Sequence, residues 1–123
     1  LKFNLQMPPR LSHREIKYRF SANNVDLVDE LSNYGASAWP KLKHLGILIN
    51  IPFKQVSEGN VVYEQYLRGD FKEIENYCYE DVVATYIIWL HLEYTRSNIK
   101  ENEFENLKSR ALNKLREIQN LNK

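Results

Sequence analysis

The sequence of 123 residues predicts a mostly α-helical chain with about one or two β-strands and a long pair of helices at its C-terminal end. Two observations predict the helices: apolar residues recur three and four apart from Asp70 to Thr95, and again after Asn98. A third predicts the strand, because only the stretch after Lys17 alternates with a period of two. A hydrophobic content of 43% is enough for a packed core.

The composition excludes several classes of protein. A net charge of +1 favours neither nucleic acid nor an acidic partner by electrostatics alone. No run reaches the roughly 18 apolar residues that a membrane span needs, and no signal peptide opens the chain, so we expect a cytoplasmic protein without a membrane partner. The single cysteine, Cys78, excludes an intramolecular disulfide and a multi-cysteine zinc site.

The N-terminal third predicts little regular structure before one strand. Pro8 and Pro9 oppose both helix and central strand in residues 1–17, where His13 is typical of a solvated loop. The alternation that starts at Tyr18 makes Tyr18–Leu31 the best strand candidate.

Two aspartates follow the alternating residues. Asp26 and Asp29 either cap the following turn or ligate a metal, and the sequence leaves both readings open. The residues Asn33–Gly35 that come next predict a turn.

A short helix is predicted next, with Ser37 as its N-cap, Pro40 in its first turn and Gly46 as the residue that ends it. Leu42 and Leu45 are expected in the core, with three polar residues outside: Lys41, Lys43 and His44.

A loop and a second short helix follow. Ile47–Gly59 is loop-like, and Lys54 within it either is solvated or contacts a substrate phosphate. Val61–Leu67 predicts a helix that Gly69 ends.

The central helix is the most strongly predicted element. Asp70 and Glu73 form a capping-box pattern, and the helix is expected to reach about Thr95. Its apolar run at Ile87–Leu90 indicates a central position in the fold. The predicted buried stripe is Phe71, Ile74, Cys78, Val82, Thr85, Trp89 and Leu92, and the acids predicted to point away from it are Glu73, Glu80 and Glu93.

A final helix opens with a second capping-box pattern at Asn98–Glu101. Its apolar residues are spaced three and four apart: Phe104, Leu107, Ala111, Leu115 and Ile118. This helix either packs back on the domain or associates with another copy as a coiled coil, which would make the protein a homo-oligomer.

Tyr77 and Asp81 are the candidate catalytic residues. Residues four apart on a helix share one face, so a phenol and a carboxylate would meet there. A carboxylate on a partly buried face needs a partner, and its hard oxygens suit Mg²⁺ or Mn²⁺. By spacing alone, the pair is more typical of a tyrosine packed at a helix edge beside a border aspartate than of a catalytic site.

Five stretches in fixed order add a family resemblance: Asp26–Asp29, Leu42–Gly46, Ile51–Lys54, Gly59–Val61 and Tyr77–Tyr86. Over Tyr18–Thr95 the chain resembles the C-terminal part of predicted 3′–5′ exonucleases related to the proofreading domain of family B DNA polymerases. These enzymes belong to the α/β, ribonuclease H-like DEDD group, in its tyrosine-containing subtype (DEDDy).

The resemblance implies that Tyr77 and Asp81 are the third exonuclease motif. Asp81 would then bind a catalytic Mg²⁺ or Mn²⁺ of a two-metal site, and Tyr77 would position the attacking water. The substrate would be a single-stranded DNA or RNA 3′ end. Residues 1–96 would be the C-terminal part of the exonuclease domain, and residues 97–123 an additional helix.

Departures from the family limit this expectation. The Asp-x-Glu of the first motif and the aspartate of the second have no counterpart, so the chain has one of four metal-binding acids. Because the chain starts at Leu1 and is poor in strands, we expect an N-terminal half to be missing. We therefore predict that this chain alone neither retains the two metals nor cleaves nucleic acid. The alternative is a catalytically inactive helical binding or assembly module that keeps the remnant of the fold.

Overall fold

All the regular structure that is described is helical. The computed structural model describes residues 18, 21, 22, 24–53 and 59–120. Its helices are α1 (Leu27–Leu31), α2 (Leu42–Leu48), α3 (Gly59–Arg68), α4 (Phe71–Thr95) and α5 (Glu101–Asn120). The prediction of a mostly helical chain with a long C-terminal pair is confirmed. No strand occurs in these ranges, so the prediction of one or two strands is wrong there.

The strand prediction fails because an aspartate starts a helix within it. The Asp26 carboxylate accepts hydrogen bonds from the backbone N–H groups of Val28 (3.0 Å) and Asp29 (3.4 Å). These bonds satisfy donors that the first turn of a helix leaves free, so α1 forms where the alternation predicts a strand.

The chain divides into two units, Leu1–Trp39 and Pro40–Lys123. In the first unit, α1 is followed by the predicted turn, which is confirmed: Asn33, Tyr34 and Gly35 all have positive φ angles. Ser32 is fully buried beneath this turn, and its hydroxyl accepts a hydrogen bond from the Gly35 N–H at 3.1 Å.

The second unit begins with α2, which differs from its prediction at both ends. Ser37 is not an N-cap, because its hydroxyl donates to the Ser32 carbonyl at 3.1 Å, and α2 starts at Leu42. Gly46 lies inside the helix and is buried. The left-handed residue after α2 is Asn50, with a φ angle of 59°.

The predicted break before the central helix is confirmed. Gly69 adopts a φ angle of 77°, which separates α3 from α4 and favours a residue without a Cβ atom. The capping box does not form: Asp70 makes no side-chain cap, and its carboxylate accepts a hydrogen bond from Arg68 Nε at 3.0 Å.

Helix α4 packs against α2, α3 and α5, which confirms its central position. Its buried face differs from the predicted stripe and consists of Glu80, Ala84, Ile87, Ile88 and Leu90. Phe71 and Val82 of the predicted stripe are 62% and 66% exposed, whereas Glu80, predicted outside, is 3% exposed. In the described ranges, neither this helix nor another is long and apolar enough to cross a membrane.

Helices α4 and α5 form an antiparallel hairpin, so the final helix packs back on the unit. Near the turn, the Phe104 ring stacks on Tyr94 with centroids 4.7 Å apart and meets the edge of His91 at 4.8 Å. Leu115 is fully buried further along α5. Asn98 does not cap α5, because its amide donates to Glu93 at 2.9 Å instead.

The far end of the hairpin is joined by polar contacts. The Gln119 side-chain amide donates to a Glu80 carboxylate oxygen and to the Pro52 carbonyl, both at 2.9 Å. The C-terminal end of α5 therefore reaches both α4 and the segment that follows α2.

Candidate active site

Tyr77 and Asp81 lie one turn apart on α4, and both are half-buried. Burial raises the pKa of the Tyr77 phenol, and interaction with the Asp81 carboxylate raises it further. Burial also raises the pKa of Asp81, and the neighbouring Glu80 adds to this effect. The helix therefore brings the two groups together in surroundings that disfavour negative charge.

A third group belongs to this site. Lys43 of α2 is half-buried, and its ammonium lies 5.7 Å from the centre of the Tyr77 ring. The same ammonium acts to lower the pKa of Asp81, as does the Tyr77 hydroxyl, although burial outweighs both. The sequence predicted Lys43 outside the core with Lys41 and His44; those two are exposed, but Lys43 faces the pair.

Lys43 lies beside the Tyr77–Asp81 pair because α2 packs against α4. Gly46, one turn after Leu42, lies directly against the Phe53 ring, and a Cβ atom at Gly46 would overlap that ring. Ile51, beside them, is 5% exposed. This close contact holds α2 to the segment after it, while Leu42 and Leu45 are half-buried as predicted.

The other candidate residues lie elsewhere. Asp26 caps α1, which favours the capping reading over a metal role, and Asp29 is buried in the same unit. Lys54 and His13 lie outside the described residues. Lys43 is the residue that the sequence analysis missed. No local signal separates it from Lys41, since both border the Leu42–Leu45 stripe.

Asp81 can supply one oxygen ligand to a divalent cation. Within the described ranges, however, no three or more His, Cys, Asp or Glu side chains are grouped closely enough to hold a metal ion. Among the residues that the structure describes, Asp81 therefore supplies one ligand of a metal site without the others.

Comparison with known proteins assigns the family. A family model described as a predicted 3′–5′ exonuclease related to the exonuclease domain of PolB matches residues 10–123. The chain belongs to this exonuclease family. The match confirms the resemblance seen in the sequence, and it continues past Thr95 through α5. No curated protein and no solved structure matched in the corresponding comparisons.

The Tyr77–Asp81 pair lies within the part of the chain that matches the exonuclease family. The exonuclease-related match covers α2 and α4, which carry Lys43, Tyr77 and Asp81. The family description is itself a prediction of activity, and it assigns no role to the three residues individually.

Proposed function

We propose that Tyr77 and Asp81 are the third motif of a metal-dependent 3′–5′ exonuclease that acts on single-stranded DNA or RNA ends. The observation that carries this proposal is the pairing itself: a phenol and a carboxylate, one turn apart on α4, interact in partly buried surroundings. The family to which the chain belongs supports the reaction class.

Each residue has a distinct chemical task. The Asp81 carboxylate is a hard oxygen ligand of the kind that Mg²⁺ and Mn²⁺ prefer. When bound, such ions supply charge stabilisation and activation of water in phosphodiester hydrolysis. The Tyr77 phenol, whose pKa is raised from its ordinary value of 10.0, is protonated at neutral pH as tyrosines normally are, so its hydroxyl can donate one hydrogen bond and accept another. It would orient a water molecule beside Asp81.

One observation favours the second candidate, an inactive binding or assembly module. Lys43 already places a cation beside Asp81, which offsets the cost of burying the carboxylate without a metal. A divalent cation would have to share Asp81 with this ammonium. We infer that residues 1–123 alone cleave no nucleic acid, and that the remaining acids of a two-metal site come from elsewhere. Lys54 remains a proposed phosphate contact.

A nuclease assay separates these functions. The full translated product of the gene and the 123-residue chain are incubated with 5′-labelled single-stranded DNA or RNA and Mg²⁺ or Mn²⁺. We expect 3′ shortening by the full product only, its loss in Asp81→Ala, and a partial loss in Tyr77→Phe. Glu103→Ala, which removes an exposed acid of α5, is the control.

Two results would contradict the proposal. Cleavage that survives Asp81→Ala would remove Asp81 from the site, and metal-dependent cleavage by the 123-residue chain would show that the chain completes its own active site. A full product that binds nucleic acid without shortening it would support the inactive module.

A further inference from the structure

A groove of about 520 Å³ runs between α4 and α5, away from the Tyr77–Asp81 pair. Tyr86 forms its α4 side, and α5 contributes Leu107, Arg110, Ala111, Lys114 and Glu117. Tyr86 follows Tyr77 by nine residues, which turns its side chain by about 180° around the helix axis. The groove is therefore a separate feature of the same helix pair.

The α4 side of the groove presents an aromatic face. Tyr86 stacks on Trp89 with ring centroids 5.8 Å apart and an interplanar angle of 28°. Tyr86 is 37% exposed, so part of its ring remains open to solvent. A supported, partly open aromatic ring suits stacking by a nucleobase, because every base has a flat π-face.

The α5 side of the groove presents cations. Arg110 and Lys114 are exposed and one turn apart, so they lie on one face of α5. Arg110 has no hydrogen bond or ion pair with any residue that the structure describes. Lys114 pairs with Glu117 at 3.2 Å, but both side chains are more than 60% exposed, so this pair is weak and can open for another anion.

The charge of α5 is unevenly distributed. Its first turns carry three acids, Glu101, Glu103 and Glu105, whereas residues 106–120 carry four cations and one anion. The groove lies along the cationic half. Although the whole chain is nearly neutral, this half of α5 offers a local positive surface to a polyanion.

We propose that the α4–α5 groove binds a segment of single-stranded nucleic acid away from the 3′ end, with a base stacked on Tyr86 and phosphates on Arg110 and Lys114. The ligand class rests on the proposed function, but the binding needs no catalysis at Asp81. An acidic peptide would use the two cations and leave the aromatic ring unused, which is why a nucleic acid fits better.

Fluorescence anisotropy with a short labelled oligothymidylate tests this in the 123-residue chain at several salt concentrations. Arg110→Gln with Lys114→Gln should weaken binding and reduce the slope of log affinity against log salt by about 1.4, for two lost phosphate contacts. Tyr86→Ala should weaken binding about tenfold or more. Glu117→Gln should strengthen it, because Lys114 is then released from its pair.

Matched variants keep the test specific. Arg68→Gln with Lys72→Gln removes two exposed cations away from the groove and should change binding much less. Asp81→Ala should retain groove binding. If cleavage by the full product survived Asp81→Ala while groove binding was intact, that result would count against the proposed function alone. Circular dichroism confirms that each variant is folded.

The proposal is overturned if the wild-type chain does not bind the oligonucleotide at low salt, or if both pairs of cation variants weaken binding equally. It is also overturned if folded Tyr86→Ala binds the oligonucleotide as tightly as the wild type and a polyglutamate peptide fully displaces the oligonucleotide. The groove would then be a site for an acidic protein.

Discussion

The Lys43 ammonium lies 5.7 Å from the centre of the Tyr77 ring and also acts on the Asp81 carboxylate one turn further along α4. Two helices that are separate in sequence thus supply a cation, a phenol and a carboxylate to one small volume. The cation lies against a ring face, where the quadrupole of the aromatic system attracts it. The protein's own groups therefore offset part of the cost of placing the Asp81 carboxylate in these surroundings.

Asp81→Asn should stabilise the fold at neutral pH relative to the wild type. The folded pKa of Asp81 is raised above 3.8, so its favourable contribution exists at low pH and is lost as the pH rises through the folded pKa. Asparagine avoids the burial of a charge. Urea denaturation in metal-free buffer at about pH 3.5 and pH 7 checks this. A variant that is less stable than the wild type at pH 7 would contradict it.

Lys43→Met should raise the pKa of Asp81 further, because Lys43 is the largest influence that opposes burial. Methionine keeps most of the side-chain volume and removes the charge. Carboxyl ¹³C NMR titration measures the Asp81 pKa directly. Lys41→Met, at an exposed position of the same segment, is the control. Equal shifts in the two variants would mean that Lys43 acts only through the overall charge of the chain.

His91 should make stability depend on pH. Burial and the nearby Lys108 lower the pKa of His91 below 6.5, although Glu105 acts in the opposite direction. The unfolded chain then binds more protons, so this contribution is complete above about pH 6.5 and is lost as the pH falls through the folded pKa. His91→Phe should flatten the change in unfolding free energy between about pH 5 and 7. His44→Gln, at an exposed histidine, should not; flattening by both would refute the assignment to His91.

Gly46→Ala should destabilise the protein by about 1–3 kcal/mol, since the added methyl group overlaps the Phe53 ring. Inside a helix, alanine is otherwise favoured over glycine by about 1 kcal/mol, so the clash must exceed this gain. A double-mutant cycle with Phe53→Leu measures the clash by denaturation. The second substitution should recover part of the loss. A stabilised Gly46→Ala would show that Phe53 moves aside without cost.

The sequence predicts the helices better than it predicts their faces. Gly69 marks the start of α4 correctly because its backbone conformation is a local property. The buried face of α4 is misassigned because apolar residues occur on several sides of this helix, and the partner decides which side is buried. Glu80 is buried in a helix that packs against α5, and Gln119, 39 residues later, donates a hydrogen bond to it. No local pattern contains that information.

The candidate site is predicted in part for the same reason. Tyr77 and Asp81 share a face by helical spacing alone, which a single segment determines. Lys43 joins them only because α2 packs on α4, and α2 also packs closely on Phe53 through Gly46. Alternation predicts a strand at Tyr18–Leu31, but the Asp26 cap starts a helix at Leu27 instead.

The structure describes the whole of α4, and Glu80 is the one charged residue among the buried residues of this helix. Apolar burial is non-directional, so by itself it selects an alignment of two helices less sharply than a hydrogen bond does. The hydrogen bond from Gln119 is directional. Sliding α5 by one turn, about 5.4 Å, would carry the Gln119 amide away from the Glu80 carboxylate. Together with the stacking of Phe104 on Tyr94, this polar contact favours one register of the hairpin, and with it the directions in which Tyr77, Asp81 and Tyr86 face relative to α5.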